Sequence, residues 1–254
     1  MKPIIFCLLA ITLSAFLVIP ALGQQQPTAR QIIEKADRNI QGESSISAMT
    51  MTIKRPTWER TIGFKNWAKG RDLALTLVTG PVKEKGQTFL KRGNDMWNYV
   101  PSISRLIKLP PSMMSQGWMG SDYTNDDILN ESSMVTDYTQ ELLGTETLDG
   151  NKCYKINMVP LEESNIVWGK ITTWISTDSY LFLKSEYYDE NQELVRTETA
   201  GDIKTLDGRL IPTHLEIIPA DEPQNRTIVV IQSMDFDVDI ADGFFSQQNM
   251  KMVK

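Results

Sequence analysis

Four acidic residues form the part of the chain whose spacing could support metal chemistry. They are Asp122, Asp126, Asp127 and Glu131. Residues four apart share a face of a helix, so two pairs of carboxylates could present oxygen ligands to a calcium ion. The spacing does not match an EF-hand loop. A threonine followed by acids in the first turn, as at Thr124, is also typical of a helix start, and this is the interpretation that we favour.

The other reactive residue types indicate no catalytic site. His214 is the only histidine and lies in a strand-like pattern, where a surface or hydrogen-bonded role is more usual than a catalytic one. Cys153 is the only cysteine after the N-terminal segment, and we interpret it as a buried structural residue. The sequence has no glycine-rich phosphate loop, no CxxC pair and no nucleophile elbow. We therefore predict no catalytic residue, metal or cofactor, and an enzyme using the four acids is the least supported hypothesis.

The N-terminus predicts export. Lys2 precedes an apolar run at 4–19, and Ala21-Leu22-Gly23 is a small-x-small cleavage site. The run is shorter than the roughly 20 residues of a spanning helix. We expect a cleaved signal peptide at 1–23, an exported protein, and a single domain at 24–254.

The net charge limits the classes of partner. The formal charge is −6, and no basic stripe is visible in the sequence. Phosphate binding needs clustered Lys and Arg, so nucleic acid is not expected as a partner. The same balance argues against adhesion to an anionic membrane surface, and we expect transient membrane contact only.

The hydrophobic periodicity predicts a mostly β protein with a helix at its start. The helix is expected at about 27–41, with a capping box between Thr28 and Gln31 and an end at Gly42. After it the period becomes two, with strands at 49–53, 73–77, 88–91, 96–100 and 105–109 and a second run of strands over 138–238. We predict a single curved antiparallel sheet of about ten or eleven strands, an incomplete barrel.

One apolar face of such a sheet must be covered. Besides the first helix, the only non-strand stretch long enough is 110–136, which is rich in Met and Trp. Two interpretations remain open: these side chains fill the core, or they form a pliable helical lid over a lipid cavity. On the second interpretation we predict lipid-binding residues on the strands and in this stretch: Met49, Met51, Leu75, Leu77, Trp97, Tyr99, Met113, Met114, Trp118 and Met119.

Four features resemble the LolA-like outer-membrane lipoprotein-sorting family. They are the signal peptide followed by the 31–37 helix, the strand Trp97-x-Tyr99-x-Pro101-x-x-x-Arg105, the string Met119-Gly120-Ser121-Asp122-Tyr123-Thr124-x-Asp126-Asp127, and the close at 239–246. The resemblance covers nearly the whole chain after residue 23. It implies a half-barrel whose helices cover an apolar cavity for acyl chains, with a strand arginine that holds the lid closed. Arg105 and Arg92 are the candidates for that arginine.

We therefore expect a non-catalytic periplasmic carrier or chaperone that binds the acyl chains of a lipoprotein or another lipid. The resemblance implies transfer between envelope membranes, or to a transporter of the RND or ABC type. The alternative hypothesis is an envelope sensor or adaptor whose core is filled and whose surface binds a protein.

Overall fold

The chain forms one open antiparallel sheet. A computed structural model describes residues 26–114, 116–129, 134–162, 164 and 166–254. The predicted signal peptide, Glu131 and the side chain of Asp126 lie outside the described part. The strand order is β6-β5-β4-β3-β2-β1-β13-β12-β11-β10-β9-β8-β7.

The elements have the following bounds. The two helices are α1 (Ala29–Gln41) and α2 (Asn125–Leu129). The strands are β1 (Ser44–Arg55), β2 (Trp58–Lys69), β3 (Leu73–Gly80), β4 (Thr88–Arg92), β5 (Asp95–Val100), β6 (Arg105–Lys108), β7 (Tyr138–Leu148), β8 (Asn151–Pro160), β9 (Lys170–Ser176), β10 (Phe182–Tyr188), β11 (Leu194–Leu206), β12 (Arg209–Pro219) and β13 (Arg226–Phe236).

The sheet consists of two meanders that meet at the pairing of β1 with β13. We call β1–β6 the N-terminal half-sheet and β7–β13 the C-terminal half-sheet. Residues 109–137, the connecting segment, lead from β6 at one edge to β7 at the other. No helix within the described residues is long and apolar enough to cross a membrane.

Within the described residues the sheet has thirteen strands, rather than the predicted ten or eleven. Strand β2 was not predicted, because apolar side chains lie on both of its faces. Phe64 packs on one face with Met51, whereas Trp67 packs on the other with Leu75. A strand that is covered on both sides has no simple polar–apolar alternation, so the period-two signal is lost.

Helix α1 begins as predicted and covers the C-terminal half-sheet. The Thr28 amide donates to Oε1 of Gln31 at 2.9 Å, and the Gln31 amide donates to Oγ1 of Thr28 at 3.3 Å. The helix ends before Gly42, whose φ of 63° suits a residue without Cβ. Its buried stripe of Ile32, Ile33 and Ala36 packs against β8 and β9. We call the side of the sheet that carries α1 the helix face.

The N-terminal half-sheet is covered on both faces. On the helix face Trp118 of the connecting segment stacks on Phe64 and meets Phe89 edge-on, with ring centroids 5.1 and 5.3 Å apart. On the opposite face Phe245 and Met250 of the C-terminal segment are fully buried against β3 and β4. Around Trp118 on one face and Phe245 on the other, this half is therefore a packed core.

Candidate functional site

A cavity lies on the helix face of the C-terminal half-sheet, between α1 and the connecting segment. Its volume is about 370 Å³. Most of its wall is apolar, with side chains from α1, the connecting segment and β9–β13. The apolar lining consists of Ile40, Ile128, Met134, Tyr138, Ile166, Ile171, Phe182, Leu183, Ala200, Ile211, Leu215, Ile231 and Met234.

A second cavity of about 240 Å³ continues the first toward the middle of the sheet. The two share part of their lining, namely Ile40, Gln41, Leu215, Ile231 and Met234. The second cavity reaches Met49 on β1 and Ala68 on β2. We call the two neighbouring cavities together the groove, because five residues line both of them.

A buried ion pair closes the groove beneath α2. Arg196 on β11 donates from Nη1 and Nη2 to the two carboxylate oxygens of Asp127, at 2.6 and 3.0 Å. Arg196 is 5% exposed. A bidentate guanidinium–carboxylate pair in this setting fixes both partners geometrically. The pair therefore holds the connecting segment to the C-terminal half-sheet.

Aromatic rings surround the Arg196 guanidinium. Its central carbon lies 4.2 Å from the ring centroid of Tyr187, 4.6 Å from Trp168 and 6.0 Å from Tyr123. These distances are those of cation–π contacts, which strengthen when water is excluded. Next to Trp168, Gly169 allows two backbones to approach closely, since a Cβ there would lie 2.1 Å from the Asp189 carbonyl oxygen.

Glu198 places a carboxyl group in the same wall. Its two oxygens accept hydrogen bonds from the hydroxyls of Tyr123 at 3.1 Å and Tyr187 at 3.2 Å. Burial raises the pKa of Glu198 above its ordinary value, although Arg196 and the tyrosine hydroxyls act in the opposite direction. Burial, reinforced by the nearby Glu198 carboxylate, also raises the pKa of both tyrosines. The tyrosines are therefore neutral donors at any physiological pH.

A second ion pair ties the connecting segment to the N-terminal half-sheet. Arg55 at the end of β1 donates to the two oxygens of Asp122, at 2.9 and 3.2 Å. Thr227 donates its hydroxyl to the same carboxylate at 2.7 Å. Arg60 on β2 donates to the Met119 carbonyl oxygen. The segment is thus anchored from β1, β2, β11 and β13.

The acids that could have formed a metal site contact arginines and a helix start. Thr124 and Asp127 exchange hydrogen bonds between amides and side chains at 2.8 and 3.0 Å, as a helix-capping pair does. Asp127 and Asp122 also pair with Arg196 and Arg55. Within the described part of the chain no group of three or more His, Cys, Asp or Glu residues could hold a metal ion.

The structure separates the predicted lipid-binding residues into three places. Met49 and Met51 point to the helix face, and Met49 lines the groove. Leu75, Leu77, Trp97 and Tyr99 lie on the opposite face and pack with the C-terminal segment. Met114, Trp118 and Met119 pack on the N-terminal half-sheet, and Met113 is exposed.

The two arginines that we predicted as candidates for closing a lid lie on β6 and β4. Arg105 is exposed on the edge strand β6, and Arg92 donates to the Phe245 carbonyl oxygen at 3.1 Å, below the opposite face. The arginines that contact the connecting segment are Arg55, Arg60 and Arg196. The signal for Arg196 is its position between Val195 and Thr197 in a strand, two residues from Glu198, since this spacing puts both charges on one face.

The open sheet, with α1 and the connecting segment across the same face, has a LolA-like fold. A family model described as "Uncharacterized protein" matches residues 70–252, and the chain belongs to that family. The chain is similar to the crystal structure of a DUF1329 family protein from Desulfovibrio piger, with 26% identity, a TM-score of 0.80, and coverage of 87% of this chain and 97% of that one.

Two further crystal structures share the fold. One is a domain from Vibrio parahaemolyticus described as an outer membrane lipoprotein-sorting protein domain, with 21% identity, a TM-score of 0.77, and coverage of 88% of this chain and 98% of that one. The other is a LolA superfamily protein from Nitrosomonas europaea, with 24% identity, a TM-score of 0.74, and coverage of 88% and 100%. Comparison with curated proteins gives no match.

Proposed function

We propose that this protein is a non-catalytic lipid carrier whose groove binds an acyl chain of a lipoprotein or another lipid. The observation that carries the proposal is the mostly apolar groove between α1 and the connecting segment. Its larger cavity, at about 370 Å³, falls in the usual range for small-ligand sites. A filled core would have favoured the adaptor hypothesis, and the groove favours the carrier.

The energetics of transfer suit such a groove. An acyl chain leaves a bilayer only if apolar contacts replace those it loses, at about 0.8 kcal/mol per CH₂. Leu215, Ile231 and Met234 line both cavities and supply a continuous apolar wall. The lipid-binding set that we propose consists of these residues, Ile40 and Met49. It leaves out Leu75, Leu77, Trp97 and Tyr99, because their side chains are on the other face.

We propose that the connecting segment acts as the lid, with Arg196–Asp127 as the clasp on the groove side. Arg55–Asp122 and the buried Trp118 would keep the other part of the segment in place. Opening the clasp would release Asp127 and Tyr123 together, because both contact β11. The lid would then move as a flap on a fixed hinge rather than detach.

We further propose a periplasmic location and transfer of cargo to or from an envelope membrane or transporter of the RND or ABC type. The leader-like N-terminus and the likeness to a lipoprotein-sorting domain support this proposal.

The groove is tested by blocking it. Ala200 lines the larger cavity, and Ala200→Trp would place an indole in that space. Thr197→Trp on the same strand is the matched control, because Thr197 lies on the opposite face and lines neither cavity. Binding of a fluorescent fatty-acid analogue is the readout, with melting temperature as the folding check. We expect binding to be lost at least tenfold in Ala200→Trp and kept in Thr197→Trp; equal affinities in the two variants would refute the assignment.

A further inference from the structure

Three hairpin loops of the N-terminal half-sheet lie together at one end of the sheet. They connect β1 to β2, β3 to β4 and β5 to β6, and antiparallel strands bring alternate connections to the same end. The Arg60–Glu84 pair at 3.1 Å joins the first loop to the second. A Cβ on Gly86 would lie 3.5 Å from Cγ of Pro101, which joins the second to the third. We call residues 54–60, 81–87 and 101–105 the loop edge.

Each loop of the loop edge carries an exposed apolar side chain near its tip. Val82 is 90% exposed, Ile103 59% and Trp58 49%. Single exposed apolar residues are common on protein surfaces. Here three consecutive hairpins of one edge each expose one, so the three tips form a row rather than a groove.

The loop edge is also basic. Its three segments hold six Lys or Arg residues and two Glu residues. Lys83, Lys85 and Arg105 are exposed, and none of them has an ion-pair partner among the described residues. The acidic net charge of the chain conceals this local excess of positive charge.

The C-terminal half-sheet has the opposite charge at the same end. The pairing of Lys54 with Arg226 places the loop between β12 and β13 beside the loop edge. That loop and the loop between β10 and β11 contain acidic residues and no basic ones. The acids are Asp189, Glu190, Glu193, Asp221 and Glu222. The end of the sheet is therefore positive on one half and negative on the other.

We propose that the loop edge docks onto a bilayer containing anionic phospholipid. Positive charge attracts anionic headgroups, and tryptophan and aliphatic side chains insert at the interface between headgroups and acyl chains. A row of separate tips suits a plane better than a peptide, which would need a groove or a pairing strand. The acidic loops beside the row would be repelled, so contact is confined to one half. This surface is distinct from the groove, and the proposal does not rest on the carrier function.

Vesicle co-sedimentation tests the proposal. The vesicles consist of phosphatidylglycerol and phosphatidylcholine in equal parts, with pure phosphatidylcholine as reference. Each basic residue near an anionic surface strengthens binding about fivefold. We therefore expect the triple variant Lys83→Gln, Lys85→Gln, Arg105→Gln to bind anionic vesicles roughly 100-fold more weakly than the unmodified chain. Val82→Ser with Ile103→Ser should weaken binding without changing its salt dependence.

Two controls make the outcome specific. The triple variant Lys35→Gln, Lys152→Gln, Lys204→Gln changes the net charge equally at exposed sites toward the opposite end of the sheet and should bind like the unmodified chain. Ala200→Trp blocks the groove, so unchanged sedimentation of that variant separates docking from cargo uptake. No binding to anionic vesicles at low salt, or equal losses in the two triple variants, would overturn the proposal. Capture of an acidic protein without vesicle binding would also overturn it.

Discussion

The two half-sheets are covered on the same face by different means. Over β2 and β4 the connecting segment packs through Trp118, whose ring contacts those of Phe64 and Phe89. Over β9–β13 the cover is α1 and α2, and they leave a groove between them that ends at Arg196 and Asp127. Both halves hold the connecting segment through an ion pair with little exposure, Arg55–Asp122 on one and Arg196–Asp127 on the other, and the first half adds the aromatic packing of Trp118.

This difference bears on which part of the connecting segment could move as the proposed lid. On the N-terminal half-sheet close aromatic packing adds to the Arg55–Asp122 pair, whereas the Arg196–Asp127 pair borders a cavity. In the proposed carrier the groove side would therefore open, and the Trp118 side would stay closed as the hinge of the segment.

Replacing Arg196 should change the free energy of unfolding more than any other substitution that we consider. In Arg196→Met the Asp127 carboxylate and Glu198 would remain in the wall without their cation, and breaking a buried pair costs about 3–5 kcal/mol. We expect a loss of this size in the free energy of unfolding, measured by urea denaturation. Arg226→Met is the control, because Arg226 pairs with Glu216 in a more exposed position and such pairs contribute at most about 1 kcal/mol. Equal losses in the two variants would contradict a buried clasp.

The packing of the two halves is compared by two truncations. Met51 is 1% exposed within the N-terminal core, and Met51→Ala should cost about 2–5 kcal/mol. Ile231 borders both cavities, so Ile231→Ala removes packing contacts on one side of the side chain only. The loss of stability should therefore be about 2 kcal/mol or less. The measurement is again the free energy of unfolding. A larger loss for Ile231 than for Met51 would show that the groove is not empty of packing partners in the purified protein.

The cap of α1 should give a smaller effect. Thr28→Ala removes the acceptor for the Gln31 amide and should lower stability by about 1 kcal/mol, seen as a lower melting temperature. Thr28→Ser keeps the hydroxyl and serves as the matched control. If the serine variant melts as early as the alanine variant, the hydroxyl is not the stabilising group.

The smallest effect that we expect is a pH dependence at Glu198. Its pKa is raised in the folded state, so its contribution to stability is present below the pKa of the unfolded chain and is lost as pH rises through the folded value. Glu198→Gln does not titrate and keeps a hydrogen-bond acceptor. We compare the free energy of unfolding of Glu198→Gln with that of the unmodified chain. We expect the difference, variant minus unmodified chain, to increase as pH rises above about 4.5 and then to become constant. A difference that is constant, or that shrinks with pH, would disagree with a raised pKa.

The sequence predicted the fold more closely than the groove. Helix α1, its capping box and the antiparallel meander follow from local patterns such as Thr28-x-x-Gln31 and the alternation in β1. Local patterns do not show which face of a strand points toward the groove, because an alternating sequence is compatible with either face. Leu75 and Trp97 were expected at the cavity and lie on the opposite face, where the C-terminal segment covers them.

The clasp and the loop edge could not be predicted for a different reason. Arg196 meets Asp127 across 69 residues, and such a long-range pair leaves no periodic signal. The basic loop edge is hidden in the net charge of −6, since the acids of the other half outweigh it. Both features appear only when the order of the strands is known.

The measurement that tests the central claim most directly is the lipid content of the protein after gentle purification from the compartment where it accumulates. Native mass spectrometry followed by organic extraction would be applied to the unmodified chain, Ala200→Trp and Thr197→Trp. We predict a bound lipid in the unmodified chain and in Thr197→Trp, and its absence in Ala200→Trp. The same lipid in all three proteins, or in none of them even after incubation with fatty acid, would contradict a lipid-binding groove between α1 and the connecting segment.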